Sequence, residues 1–344
     1  MSVARTLYIL SHTSLTTKGP MDLRCVCQGS GPDKMNILHK RTRAPSKTSN
    51  TPYSPLISIA LPQRVAGASI LSRQINPVSN CGARQKMTNS RFESQVVFVT
   101  GGTSGLGADT CELFVREGAK VFVTDLEERG ILDQLGAQNA TYQRCDISNP
   151  DDCQNAIHAC VQKYGRLDVL FHNGAMLAGI STVVDHDLVT FQRVINTNLC
   201  GLFYLARAAI PQMRKQEKGA IVTTASTAGL GGDSGLCSYS AAKAGVVNLT
   251  RTMAIDHARE GIRINCVCPG YMVTPMTVPF REDKFIHDML LEQIPLGRGS
   301  DPKEVSRAIL FLASDEASYI TGQGTYSNTC RGDRRLKKMT LTRW

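Results

Sequence analysis

Long apolar runs are missing from this chain. No uninterrupted stretch approaches the ~18 residues of a membrane-spanning helix, so the sequence excludes an integral helical membrane protein and predicts a soluble one with no membrane partner. Metal-ligand spacing is missing too. The 12 cysteines include no C-x-x-C pair and no Cys…His arrangement; Cys25/Cys27 and Cys266/Cys268 are C-x-C, and Cys160, Cys200 and Cys266 sit inside apolar runs, where Cys behaves as a small hydrophobe. This predicts a reduced, intracellular chain without a metal. Positive charge, finally, is missing from the middle. Residues 1–86 hold 12 Lys and Arg against Asp22 and Asp33, a net +10, and residues 325–344 carry +5, so residues 87–324 sum to −5. A basic nucleic-acid-binding body is excluded.

Residues 1–86 are rich in Ser, Thr, Pro and basic residues and show no sustained period. They read as a disordered basic extension. The acid-poor, Arg- and Ser-containing composition is that of a mitochondrial transit segment, and an upstream stretch wrongly joined to the gene is the alternative. The expected compartment is the cytoplasm, or the mitochondrion if the extension is a transit peptide. A domain is expected over 87–324 and an atypical basic tail over 325–344.

From Gln95 the pattern becomes regular. Val96-Val97-Phe98-Val99 is a β-branched apolar run bounded by Gly101-Gly102, the mark of a strand buried on both faces. Thr100 to Gly107 (T-G-G-T-S-G-L-G) leads into an amphipathic helix over 108–117, and 120–125 forms a second strand ending in Asp125. Strand, glycine-rich turn, helix, strand ending in an acid is the context in which glycines let a backbone approach a dinucleotide pyrophosphate at a helix N-terminus. Asp125 would accept hydrogen bonds from ribose hydroxyls and repel a 2′-phosphate, which predicts NAD in preference to NADP. Further strands are expected at 141–145, 167–171, 220–224 and 263–268, with helices at 150–164, 188–216 and 237–259. This alternation predicts an α/β fold of Rossmann type: a doubly wound parallel sheet, helices on both faces, in a single domain. Sites in such sheets form beyond the carboxyl ends of the strands, where Gly101–Gly107, Asp125, Asp146, Asn173, Ser226 and Pro269 all fall.

Tyr239 and Lys243 are four apart in a segment of helical composition, so they share a face. An ammonium beside a phenol stabilises the phenolate, and moving a phenol from ~10 toward ~7 takes roughly 4 kcal/mol. Tyr239 could then exchange a proton near neutral pH, with the Ser226 hydroxyl across a glycine-rich loop bonding the same substrate oxygen. The competing reading is a surface Tyr and Lys on an amphipathic helix.

These motifs, with D-I at 146–147, T-N-L at 197–199, Y-S-A-A-K at 239–243 and P-G-Y-M-V-T at 269–274, make residues 95–323 resemble the short-chain dehydrogenase/reductase family. The resemblance implies that Tyr239 is the general acid/base, that Lys243 lowers its pKa and binds the nicotinamide ribose, and that Ser226 orients the substrate oxygen. It implies that Asn198 holds a water against Lys243. The cofactor would meet Gly101, Thr103, Ser104, Gly105, Leu106 and Gly107 at the pyrophosphate, Asp146 and Ile147 at the adenine, Asn173 and Gly174 alongside, and Pro269, Gly270, Met272 and Thr274 at the nicotinamide. The implied reaction interconverts a small-molecule secondary alcohol and a ketone with NAD(P), in a homotetramer or homodimer built on the two long helices.

Three departures stand out. His172-Asn173-Gly174-Ala175 replaces the family's usual N-N-A-G, so Ala175 brings a methyl beside the adenine ribose and predicts weaker cofactor binding; His172 is expected to be structural. Ala225 replaces a common Ser, with little expected effect. After Gln323 the usual last strand and V-D-G-G ending are replaced by G-T-Y-S-N-T-C and a basic stretch, which reads as a gene-model artefact, with a degenerate edge strand or a basic tail that binds an acidic partner as the alternatives. The altered tail and Ala175 motivate the alternative of a catalytically impaired dinucleotide- or partner-binding protein. Substrate specificity is expected in 177–185 and in a helical lid over 276–296.

Overall fold

The computed structural model describes residues Ser90–Ser327; the 1–86 extension and the tail beyond Ser327 lie outside the described residues. In chain order the elements are β1 (Val96–Thr100), α1 (Gly105–Arg116), β2 (Lys120–Asp125), α2 (Ile131–Leu135), β3 (Ala140–Arg144) and α3 (Pro150–Tyr164). There follow β4 (Val169–His172), α4 (Leu188–Ile195), α5 (Gly201–Lys215), β5 (Gly219–Thr224) and α6 (Cys237–His257). The last are β6 (Ile262–Pro269), α7 (Val278–Glu282), α8 (Lys284–Glu292), α9 (Pro302–Ala313) and β7 (Gly324–Ser327).

The strands form one parallel sheet in the order β3-β2-β1-β4-β5-β6-β7. Alternate side chains of each strand face opposite layers. Phe98, Leu170, Ile221 and Ile264 pack with Cys160 of α3, Leu202 and Leu205 of α5 and Val246 of α6. Val97, Val99, Phe171 and Val222 pack with Phe114 of α1, Ile131 of α2 and Ile309 of α9. With both faces covered, β1 is buried at every position, which is why it reads as an unbroken apolar run.

Polar groups end the helices at defined places. The Asn149 side chain accepts from the Asp151 and Asp152 amides at the start of α3, and Gly165 at φ 74° closes its end. At the end of α9 the Arg263 guanidinium donates to the carbonyls of Leu312, Ala313 and Ser314. The long helix expected over 188–216 is instead α4 and α5 joined through a π-helical turn at Asn196–Cys200. Among the described residues no helix is long and apolar enough to cross a membrane.

Of the readings of the segment after Gln323, the edge strand is the one the structure shows. Gly324–Ser327 pairs in parallel with β6, Cys266 facing Gly324 and Pro269 facing Ser327. The reason lies in β6 rather than in the polar G-T-Y-S segment. Asn265, fully buried, accepts from the Gln323 amide at 3.0 Å and donates to the Ile320 carbonyl at 2.8 Å, while the Cys266 amide donates to the Gln323 carbonyl. This clamp steers the chain into register. Asn265→Ala removes both side-chain bonds of this part-buried clamp, so urea unfolding is expected to show a loss of about 1 kcal/mol or more.

Candidate active site

Every strand ends at the same edge of a parallel sheet, and the segments leaving β1, β2, β4, β5 and β6 meet there. The glycine-rich loop after β1 folds back on itself. A Cβ on Gly107 would lie 1.9 Å from the Gly101 carbonyl oxygen, and one on Gly101, at φ 60°, would lie 2.7 Å from Gly174 Cα. Asn173, following β4, ties three strand ends together. Its amide Nδ2 donates to the Gly101 carbonyl and its Oδ1 accepts from the Thr224 hydroxyl, while its backbone N–H donates to Thr100 Oγ1.

That packing shows what the Gly of H-N-G-A does. The position pressed against Gly101 is 174, where an added Cβ would also meet Ile147 Cδ1 at 2.9 Å; Gly174 therefore supplies the small residue this contact demands. The half-buried Ala175 lies one residue beyond it.

Ser104 is extended at the start of α1 and its side chain caps nothing, so the first N–H groups of α1 have no side-chain acceptor. Free amides at a helix N-terminus, glycines that leave no side chain in the way, and a carboxylate at the end of the next strand fit a dinucleotide. Asp125 is oriented by Thr103, whose hydroxyl donates to Oδ2 at 2.8 Å, and by the Leu126 amide on Oδ1 at 2.8 Å. The Thr103 amide also donates to Oδ2, at 3.3 Å, so of a carboxylate's about four acceptor sites one remains for a ribose hydroxyl. Leu106 is buried beneath the loop. Asp146 accepts from the Ser148 amide and hydroxyl, and Ile147 is buried against Gly174 and Gly201. On the far side, Thr274 and Pro275 approach Gly105, and Thr277 Oγ1 donates to the Met272 carbonyl, holding the turn after Pro269-Gly270 over the loop.

Tyr239 and Lys243 project from α6 on one face, the Lys243 ammonium 5.6 Å from the Tyr239 ring centre. Burial pushes the Tyr239 phenol above its ordinary value, and the Ser226 hydroxyl beside it pulls the other way. Lys243 is fully buried, which brings it down to about 8. The ammonium donates to the Thr224 carbonyl at 2.7 Å. The pull on the phenol expected of Lys243 is therefore, in the free chain, opposed by burial, and the contrary pull comes from Ser226. Asn198 is also buried, but its amide is committed: Oδ1 accepts from the Met176 amide and Nδ2 donates to the Met176 carbonyl, both at 2.8 Å. Each end of that amide keeps one further hydrogen-bonding site, and the Asn198 main chain lies inside the π-helical turn. Such turns recur at functional sites.

Thr100 and Thr224 escaped the sequence reading, although one organises Asn173 and Gly174 and the other holds Lys243. Their position at strand ends was the available signal. The two expected specificity segments flank the edge with exposed apolar groups. Ile180, Val183 and Val184 lie on one, and Met276, Phe285, Met289 and Leu296 on the other. No residue of α7 or α8 is buried, and His287 of α8 meets the Tyr271 hydroxyl at 3.3 Å. A cavity of about 310 Å³ lies at the opposite edge of the sheet, lined by Arg166, Asp168, Lys218, Arg263 and Asp315 among others. Its charges are paired internally, Arg166 with Asp168 and Lys218 with Asp315, so it offers a ligand little.

Comparison with known proteins bears on this geometry. A family model described as enoyl-(acyl carrier protein) reductase matches residues 101–329. The chain is 38% identical over 238 residues to 3-oxoacyl-[acyl-carrier-protein] reductase FabG of Thermotoga maritima, covering 68% of this chain and 96% of that protein. It is 38% identical over 237 residues to meso-2,3-butanediol dehydrogenase of Serratia marcescens, covering 67% and 92%. The solved structure of levodione reductase superposes with a TM-score of 0.66 at 30% identity, covering 69% of this chain and 97% of that one. The chain belongs to the short-chain dehydrogenase/reductase family, oxidoreductases that act on alcohols and ketones with NAD(H) or NADP(H).

Proposed function

We propose that this protein interconverts a secondary alcohol and a ketone with NAD(H), and that Tyr239 is its general acid/base. The observation that carries the reading is the meeting of Ser226, Tyr239 and Lys243 at the strand edge where the glycine loop and Asp125 also lie. The nicotinamide cofactor, when bound, accepts or supplies the hydride at the carbinol carbon. The chain's own part is proton transfer and orientation. Tyr239 gives its proton to the ketone oxygen, or as phenolate takes the hydroxyl proton of the alcohol; Ser226 bonds the same oxygen, and Lys243 keeps positive charge nearby. Gly101, Thr103 to Gly107, Asn173, Gly174, Met272 and Thr274 would hold the cofactor, with Asp146 and Ile147 at its adenine.

Relatives named cyclohexanol dehydrogenase, at 34% identity, and meso-2,3-butanediol dehydrogenase support a small alcohol as substrate. The apolar residues of the two flanking segments favour a hydrophobic, cyclic or chain-like one. The competing reading of a binding protein without turnover drew on the altered tail and on Ala175, and pairing of β7 with β6 weakens the first of these. Exposed Leu188, Val189, Phe203 and Ile255 on α4, α5 and α6 support assembly of two or four copies.

Asp125 provides the cofactor test. In titrations followed by fluorescence, NADH is expected to bind at least about tenfold tighter than NADPH, because a 2′-phosphate would face a carboxylate. Asp125→Ser should narrow that ratio toward unity. A screen of secondary alcohols followed at the NADH absorbance band tests the activity itself, and no turnover with any of them would sink the reading.

A further inference from the structure

We infer that Gly229 is a positioning residue: the close approach of its backbone to that of Lys243 sets how far the Ser226 hydroxyl stands from Tyr239. The inference rests on the reading of Ser226 and Tyr239 as the pair that meets the substrate oxygen.

Ser226 follows β5 and caps a single 3-10 turn, Thr227–Gly229. Two hydrogen bonds make that turn one unit with Ser226. The Ala228 amide donates to Ser226 Oγ at 3.1 Å, and the Gly229 amide donates to the Ser226 carbonyl at 3.0 Å. The first bond also fixes what the hydroxyl can do, because an oxygen that accepts from Ala228 keeps its own proton for another acceptor. Wherever the turn moves, Ser226 moves with it.

The same turn packs on α6. A Cβ on Gly229 would lie 2.6 Å from both the carbonyl carbon and the carbonyl oxygen of Lys243, and 2.8 Å from the Ala244 amide nitrogen. All three are main-chain atoms inside a 21-residue helix, so none of them can rotate aside. Gly229 is not among the glycines of positive φ; space, rather than backbone freedom, is what the position requires. Lys243 stands one helical turn after Tyr239 on the same face, so the contact also places the turn relative to Tyr239. The residues before Ser226 are held independently. The Thr224 carbonyl accepts from the Lys243 ammonium at 2.7 Å, and the Ala225 amide donates to the Val267 carbonyl of β6 at 2.8 Å. Beyond them, Gly229 is where the turn touches the helix. Two carbons pack at about 3.5 Å, so a methyl at 229 parts turn and helix by roughly 1 Å. A displacement of that size in a reacting group costs up to roughly 10²-fold in rate.

The test uses the full chain. In the wild-type protein, NMR is expected to show a close contact between the Gly229 α protons and the Ala244 amide proton; its absence overturns the proposal whether or not a variant folds. Gly229→Ala is expected to lower kcat roughly 10–10²-fold with NADH affinity, read by fluorescence, within about threefold. Gly232→Ala, whose Cβ meets nothing within 4 Å, is expected to keep wild-type kcat. A double-mutant cycle reads action through Ser226. Once Ser226→Ala has removed the hydroxyl, adding Gly229→Ala is expected to change kcat by less than about threefold, and full additivity overturns the proposal. The pH profile supplies a readout that a loss of stability alone would not move. Burial raises the Tyr239 phenol and the Ser226 hydroxyl lowers it, so drawing that hydroxyl away raises the phenol further. Alcohol oxidation, which needs the phenolate, should then gain speed only at higher pH. The substitution leaves the other titratable groups in place: Lys243 beside Tyr239 on α6, and His172 of β4 with Cys266 and Cys268 of β6 facing Lys243. An unmoved profile overturns the proposal. A Tyr239→Phe enzyme that kept its turnover would remove the catalytic reading, and with it the role inferred for Gly229, while leaving the Gly229–Ala244 contact intact.

Discussion

Tyr239→Phe is expected to lower kcat by about 10²–10⁴-fold while leaving NADH affinity within about threefold. The substitution removes one oxygen. The ring, its place on α6 and its position beside Lys243 are retained, so folding and cofactor binding have no reason to change. What disappears is the one group on this face that can exchange a proton with the substrate oxygen: Ser226 has an ordinary hydroxyl, and the Lys243 ammonium is engaged at Thr224. Steady-state kinetics with a fluorescence titration separate the two quantities, and near wild-type turnover would remove Tyr239 from the mechanism. The pH profile carries a sign. Burial holds the free phenol in its protonated form at neutral pH, ready to donate to a ketone. Oxidation of an alcohol needs the phenolate, so it should quicken as pH rises until Lys243 loses its charge above about 8.

Gly107→Ala is expected to abolish measurable cofactor binding and to cost about 1–3 kcal/mol or more of stability. The added methyl would sit 1.9 Å from the Gly101 carbonyl oxygen, and the atom it meets is backbone, which cannot rotate away as a flexible side chain could. Relief requires the loop to open. Opening breaks the Gly101–Gly174 contact and the Asn173 bond to the Gly101 carbonyl, and with them the path a pyrophosphate would follow to α1. Gly179→Ala is the control, since a Cβ there meets nothing within 4 Å. Thermal unfolding and NADH titration of both variants check the claim; an unaffected Gly107→Ala protein would mean that the loop does not carry the cofactor.

Much of this was legible before any coordinates. Unbroken β-branched runs alternating with helical periods specify strands covered on both faces, and the handedness of the connections leaves few ways to assemble them. Strand ends in such a sheet converge, so Gly101, Asp125, Asn173, Ser226 and Pro269 could be assigned to one edge from spacing alone. The Tyr239–Lys243 pair was legible for the same kind of reason, because residues four apart on a helix share a face.

What the sequence could not disclose concerns partners rather than patterns. G-T-Y-S has no strand signal of its own; it becomes β7 because Asn265 and Cys266 of β6 capture Gln323. Asn198 was placed at the site by the family resemblance, but that its amide pairs with Met176 depends on a loop folding across a π-helical turn. His172 is the clearest case. Sequence placed it at a strand end. Only packing decided that Thr100 arrives with both lone pairs already filled by Asn173 and Gly174, which leaves its own proton for the near nitrogen of His172. Periodicity reports which face a residue presents, whereas hydrogen bonds depend on what lies opposite, and that is settled only when distant segments meet.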